Sequence, residues 1–292
     1  MSVITCCKSQ NKEIMTDFQK AQEIQQKIVR GDLMIGILDA AEIDIMIDLY
    51  KKSNDPASWY ELGMIYYRGI GVEQDAEKAI NYFELAAESG YGIAAWIKYI
   101  RIAYFVNLTF ISSDKIISLI EKLEKEDVSG EVYLLKGYML YNGYAYKENF
   151  ESSLLAHQES AKKGNTDAMF ELYVYHSMGI GVEENLNIAL DWCIKAAEND
   201  NARAIYNLGT YYATGYENIT KDIKKAVNYY KRAASLSHGK AAGQLAAMYT
   251  MGDELEKNNE NAKKYYKMAI ENDFEVDILF EDLGLEEINI ND

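Results

Sequence analysis

The sequence predicts an all-α fold, a solenoid of about six helix–turn–helix repeats of roughly 37 residues with a capping helix at each end. Two unrelated residue markers keep one spacing along most of the 292 residues. Each marker falls where a helical hairpin needs that residue type. The chain has one proline, Pro56, and no Ser/Gly-rich or Pro-rich stretch that would mark a hinge.

The first marker is a small residue on the first helix. Gly63 is followed in register by Ile100, Gly137, Tyr173, Gly209 and Ala246, at steps of 37, 37, 36, 36 and 37. A small group there lets the two helices of a hairpin approach closely. Three residues later stand Tyr66, Ala103, Leu140, His176, Tyr212 and Tyr249, mostly large side chains suited to filling a wedge. The second marker is the pair Ala86-Ala87, followed by Leu123-Glu124, Ser160-Ala161, Ala196-Ala197, Ala233-Ala234 and Ala269-Ile270. Tyr82, Trp192, Tyr229 and Tyr265 each precede the first residue of that pair by four, which puts both on one helix face. Between the helices, Gly69 and Gly71, and again Gly179 and Gly181, can take positive φ and stop the first helix. One such hairpin cannot bury its faces alone, so stability must come from stacking.

The elements then follow in order. Residues 1–54 read as an N-terminal cap with a degenerate repeat: a helix over Asp17 to Val29, then Asp39 to Ser53 on the second-helix pattern, with Leu49-Tyr50 where the alanines belong. Residues 55–273 are the tandem repeats. Within them Ala94 to Asp127 keeps register but loses the glycines, so its turn, Val106 to Ser113, should differ. Residues 274–292 form a closing helix, Phe274 to Leu285, and an acidic tail expected to fray.

Composition narrows the function. A net charge of −16 argues against nucleic acid and anionic membranes, both of which select basic surfaces. A partner with a basic surface would instead be steered in. Cys6, Cys7 and Cys193 are no disulfide framework, and the N-terminus has no apolar signal region, so a cytoplasmic home is expected. No run is apolar and long enough to insert into a membrane.

The pattern of Leu62, Gly63, Tyr66, Gly69, Gly71, Val72, Lys78, Ala79, Ala86 and Ala87, repeated at Ala204, Leu208, Gly209, Tyr212, Gly215, Lys225 and Ala226, resembles the Sel-one-like repeat family, a relative of the tetratricopeptide repeats. The resemblance covers about residues 55 to 273 and is weak between 94 and 130. It implies a right-handed superhelix that serves as an adaptor for protein complexes, mostly in bacteria. Some secreted relatives carry a disulfide in each repeat, and those cysteines are missing here.

In tetratricopeptide-like arrays one stripe of the first helices lines the concave groove. Here that stripe supplies Tyr60, Met64, Tyr67, Arg101, Tyr104, Tyr138, Tyr141, Phe170, Tyr206 and Asn207 as candidate partner-binding residues. A solvated face would be rich in Lys and Glu, whereas tyrosine supplies rigid contact area and a hydroxyl, as recognition surfaces do. The expected ligand is an extended peptide or a helix of another protein. Against this stands burial of individual members between repeats.

Chemistry-bearing groups are few. His157, His176 and His238 fall in different repeats, with no metal-ligand spacing, so no metal and no cofactor are expected. Gly-Ile-Gly-Val at Gly69 and Gly179 lacks the third glycine and the strand of a dinucleotide loop. The reading is therefore a non-enzymatic scaffold. An immunity protein or antitoxin that neutralises a cognate toxic effector is the alternative, and a hydrolase built on Cys193 and His176 the remote one.

Overall fold

The computed structural model describes residues 15–29, 40–286 and 288–289. Cys6, Cys7, the first 14 residues and the end of the acidic tail lie outside them. The described residues are helical, with no strand beyond an isolated bridge between Tyr216 and Ile219. The chain divides into two compact units, Met1–Glu126 and Asp127–Asp292.

The first unit holds α1 (Asp17–Val29), α2 (Ala40–Ser53), α3 (Pro56–Arg68), α4 (Ala76–Ala86), α5 (Ile93–Phe105) and α6 (Ser113–Leu123). The second holds α7 (Glu131–Asn142), α8 (Phe150–Lys162), α9 (Thr166–Met178), α10 (Leu186–Glu198), α11 (Ala202–Thr214), α12 (Ile223–Ser235), α13 (Gly239–Met251), α14 (Asn259–Glu271) and α15 (Val276–Asp282). Consecutive helices pair as hairpins, and in each unit neighbouring hairpins pack on one another. The exception is α5 and α6, which meet sparsely.

A third periodic column explains how each hairpin closes. The second helices begin at Asp75, Ser112, Asn149, Asn185, Asp222 and Asn258, whose side chains accept the backbone N–H three residues on. Five of these caps also donate their own N–H back to the first helix: Asp75 to Tyr66, Asn149 to Leu140, Asn185 to His176, Asp222 to Tyr212 and Asn258 to Tyr249, at 2.7–3.0 Å. The cap therefore starts one helix and ties it to the end of the other. Only Ser112 lacks this link among the described bonds, and the turn before it has Asn107, not glycine, at positive φ.

The turn glycines divide the work. Gly69 and Gly179 end their helices in the left-handed region, each donating its N–H to the carbonyl of Ile65 or Tyr175. Gly181 is needed for space: a Cβ there would sit 2.6 Å from the Phe150 carbonyl at the start of α8.

The anchor column works by volume exchange. A Cβ added at Gly63 would lie 2.8 Å from the Phe83 ring, and one at Gly209 would lie 2.8 Å from the Tyr230 ring. Gly137 faces His157 in the same way. Where the anchor is Ile100 or Tyr173, the facing position carries the smaller Ile120 or Cys193, both buried. The aromatics one position earlier do something else. Tyr82 stacks on Tyr66, Tyr229 on Tyr212 and Tyr265 on Tyr249, with centroids 5.4–5.9 Å apart.

At the N-terminal side, Tyr50 replaces an alanine and is fully buried, its hydroxyl 2.6 Å from Gln25 on α1. At the C-terminal side, Phe274 seats against Gly239 and Gly243, and Phe280 on α15 is fully buried. The closing helix is shorter than the sequence suggested, because Phe274 serves as the wedge ahead of it.

Candidate partner-binding face

In the first unit, α3 supplies Tyr60, Met64 and Tyr67, and α5 supplies Arg101 and Tyr104. Met64 is buried, so packing claims it. Tyr60 is half-buried, stacked on Tyr91 at 4.3 Å and edge-on to Phe83 at 5.2 Å. Burial raises its hydroxyl above the usual phenol range. Tyr67 and Tyr104 are half-buried. Tyr104 lies edge-on to Phe105, whose ring is 60% exposed and covered by the Arg101 guanidinium at 5.9 Å.

In the second unit, α7 supplies Tyr138 and Tyr141, α9 supplies Phe170, and α11 supplies Tyr206 and Asn207. Tyr141 is exposed beside Phe150, Phe170 is buried, and Tyr206 and Asn207 are half-buried. A polar network fixes the rings. The Tyr138 hydroxyl donates to Glu171 at 3.0 Å, and Glu171 also accepts from Arg203 at 3.3 Å. Arg203 donates to Asp167 at 3.1 Å, and Asp167 accepts from Asn201 at 3.0 Å. The Arg203 guanidinium stands 4.2 Å from the centre of the Phe170 ring. The chain of contacts links α7, α9 and α11. Burial, then the Glu171 charge, raises the Tyr138 hydroxyl well above the phenol range. Tyr206 stacks on His238 at 4.8 Å, with the Lys240 ammonium 5.5 Å from its ring.

Sequence reasoning missed Asp167, Glu171 and Arg203. Asp167 and Arg203 hold one register position in successive repeats, so an acid and a base 36 residues apart were a legible signal. It went unread because the aromatic stripe alone defined the face.

The remaining reactive groups are in packing roles. Cys193 is buried, and burial pushes its thiol up to about 12, away from the thiolate a nucleophile needs. His157 is fully buried with neither ring nitrogen hydrogen-bonded among the described residues, and burial pushes it down to about 4. His176 is buried and lowered for the same reason. His238 Nδ1 accepts the Ala241 N–H at 3.2 Å and caps α13. Among the described residues no group of His, Cys, Asp and Glu is placed to hold a metal ion, and no helix is long and apolar enough to cross a membrane.

The Sel1 repeat profile matches residues 57–91, 166–201, 202–238 and 239–274, the hairpins α3–α4, α9–α10, α11–α12 and α13–α14. The hairpin α7–α8 is unmatched yet keeps the glycine anchor and the Asn149 cap. Cytochrome c oxidase assembly factor 7A of Xenopus laevis is 35% identical over 81 residues, 28% of this chain and 35% of that protein. The chain thus spans about a third of that relative's length. A Sel1 repeat protein from Oxalobacter formigenes superposes with a TM-score of 0.60 at 21% identity, covering 86% of this chain and 99% of the other. A protective antigen of uropathogenic Escherichia coli superposes with a TM-score of 0.50 at 23% identity, over 93% of this chain and 58% of the other. With the recurring anchors, turns and caps, these matches place the chain in the Sel1-repeat family, whose members are generally protein-interaction scaffolds.

Proposed function

We propose that this protein is a non-enzymatic scaffold that holds a partner polypeptide on the tyrosine-rich face of its first helices. One observation carries the reading: on α7, α9 and α11 the aromatic face is fixed by a hydrogen-bonded network running from Tyr138 through Glu171 and Arg203 to Asp167. A face whose side chains are already held loses little conformational freedom on binding, which favours a partner. Tyrosine adds contact area and a hydroxyl at low entropic cost.

The test replaces half-buried or exposed rings of the face: Tyr67→Ala and Tyr104→Ala in the first unit, Tyr141→Ala in the second. Tyr138 stays, because its hydroxyl ties α7 to α9. Captured proteins are quantified for the wild-type chain and the triple variant, beside thermal melts. A retained partner should fall by at least about tenfold, as expected when aromatic anchors are removed, with the melting temperature unchanged. Undiminished retention by a folded variant removes this face from consideration.

A further inference from the structure

In the second unit a side chain caps the start of α9, of α11 and of α13, and one of these caps can take up a proton. Asn165 starts α9 and Asn201 starts α11, their side-chain oxygens accepting the N–H of Ala168 and Ala204 at 3.0 and 3.1 Å. In the same column, 37 residues after Asn201, α13 starts at His238, whose Nδ1 accepts the Ala241 N–H at 3.2 Å. An amide oxygen accepts at any ordinary pH, whereas Nδ1 accepts only while the imidazole is neutral with its proton on Nε2. A second proton turns Nδ1 into a donor aimed at another donor. It also sets a positive charge at the helix N-terminus, where the peptide dipoles are already positive.

The same ring supports the tyrosine face. Its plane lies 18° from that of Tyr206, with centroids 4.8 Å apart, and Tyr206 in turn packs on Tyr230 of α12 at 5.6 Å. Cations surround the half-buried imidazole. Lys240, two residues along α13, holds its ammonium 5.5 Å from the centre of the Tyr206 ring. Arg203 lies three residues before Tyr206 on α11, hence on the same helix face, and is paired with Asp167 and Glu171. From α15 and the segment before it, Asp273, Glu275 and Asp282 line a groove with Lys240, and among the described residues none of them pairs with His238. Burial first, then the Lys240 charge, holds the imidazole below its ordinary 6.5.

We infer that His238 is a proton-operated latch on the partner-binding face. Neutral, it holds the first turn of α13 and the Tyr206 ring; protonated, it releases both, and the partner polypeptide is retained less tightly. The Tyr206 ring attracts a cation, but the Lys240 ammonium already stands over it, so a charged imidazole is repelled rather than held. A ring no longer held in place has more conformational freedom to lose on binding. Because burial makes the folded chain take this proton less readily than the unfolded one, the latch is closed above 6.5 and opens as the pH falls below it. The inference rests on the scaffold reading above and adds regulation to it.

The test uses the full chain and reads the latch before the partner. Amide hydrogen exchange by NMR, corrected for its intrinsic pH dependence, follows Ala241 and, as an internal control, Ala204, whose cap Asn201 does not titrate. From pH 7.5 to 5.0 the Ala241 rate should rise at least about fivefold relative to Ala204, the factor that loss of a helix cap implies. His238→Asn, which copies the caps of α9 and α11, should abolish that rise. Lys240→Gln should move the midpoint of the His238 ring titration up toward 6.5, since a like charge is removed. Equal acceleration at Ala241 and Ala204 means that acid loosens the whole unit, and it overturns the inference. So does an unmoved midpoint, or a rise that survives in His238→Asn. Captured proteins are then quantified at both pH values. Retention by the wild-type chain should fall in acid by a similar factor, while His238→Asn holds its partner. Equal losses in the two chains overturn the control of binding by His238. If nothing is retained at either pH, the scaffold reading falls, while the exchange rates still decide whether the latch exists.

Discussion

The two units build their first-helix faces on one register and treat charge in opposite ways. In the second unit Arg203 sits between Asp167 and Glu171, and Glu171 also holds Tyr138, so the cation of that face is paired from within. In the first unit the position of Glu171 is taken by Glu61 and then Lys98, and Arg101 follows where Tyr138 stands. Glu61 is engaged with α1, and Lys98 has only like charges acting on it. A repeat fixes where side chains project. It does not fix whether they satisfy one another. A face whose cation is paired within it presents shape and hydroxyls, whereas a half-buried ammonium beside like charges carries an electrostatic cost of its own.

Acid should separate the units most strongly. The site facing the anchor carries Phe83 and Ile120 in the first unit, but His157 in the second. His157 is neutral, fully buried and flanked edge-on by Tyr138 and Tyr175, with no acceptor for a second proton. Its folded value of about 4 lies below its ordinary 6.5, so the unfolded chain binds more protons between them. Stability is then fully present above 6.5 and falls as the pH drops toward 4, with a loss on the order of 3 kcal/mol from this group. His176 and His238 are shifted in the same direction. His157→Phe should fit, since Phe83 occupies the matching place against Gly63. Denaturant melts between pH 7 and 4.5 should show the second unit weakening first, and a shallower decline in the variant. Equal slopes in wild type and variant would remove His157 as the cause.

Packing is where the units should behave alike. Gly63→Ala and Gly209→Ala each drive a Cβ to 2.8 Å from an aromatic ring. Each should cost about 2 kcal/mol by overpacking. Pairing them with Phe83→Leu or Tyr230→Leu should return part of the loss, because Ile100 with Ile120 shows that a larger anchor works when its partner shrinks. Urea melts of the single and double variants measure the coupling directly. Purely additive losses would mean that the exchange of volumes is coincidental.

These cases also show which levels the sequence exposes. Period and hairpin order were readable because stacking demands the same small, large and turn residues in each copy. The helix Asp17–Val29 and the altered turn after Phe105 could be read from Asp17 to Val29 and from the missing glycines. The cap column at Asp75, Asn149, Asn185, Asp222 and Asn258 was equally visible, but it becomes meaningful only once its N–H is seen to reach back to the first helix. The face was harder. Stripe positions are equivalent on a wheel, yet Met64 and Phe170 are buried while Tyr141 is exposed, because neighbouring side chains decide depth. Charge pairing between repeats, such as Arg203 with Glu171, depends on which rows meet across the hairpin boundary, and no single helix contains that information.

The smallest expected effects are the most diagnostic, because their signs differ. Arg203→Met in the second unit leaves Asp167 and Glu171 without their cation and uncovers Phe170. With the Arg203 side chain 45% exposed, solvent screens the pair, so the loss should be about 1 kcal/mol or less. Lys98→Met in the first unit keeps the aliphatic stem and removes a half-buried charge that repels Arg101 and Arg68. It should raise stability by up to about 1 kcal/mol at low salt, with the gain shrinking as salt is added. Thermal melts of the two variants at low and high salt compare the faces in one experiment. Opposite signs that converge with salt mean that Arg203 is paired within its face while Lys98 is held among like charges. If Lys98→Met is destabilising, the ammonium has a partner inside the fold, and the electrostatic difference between the units disappears.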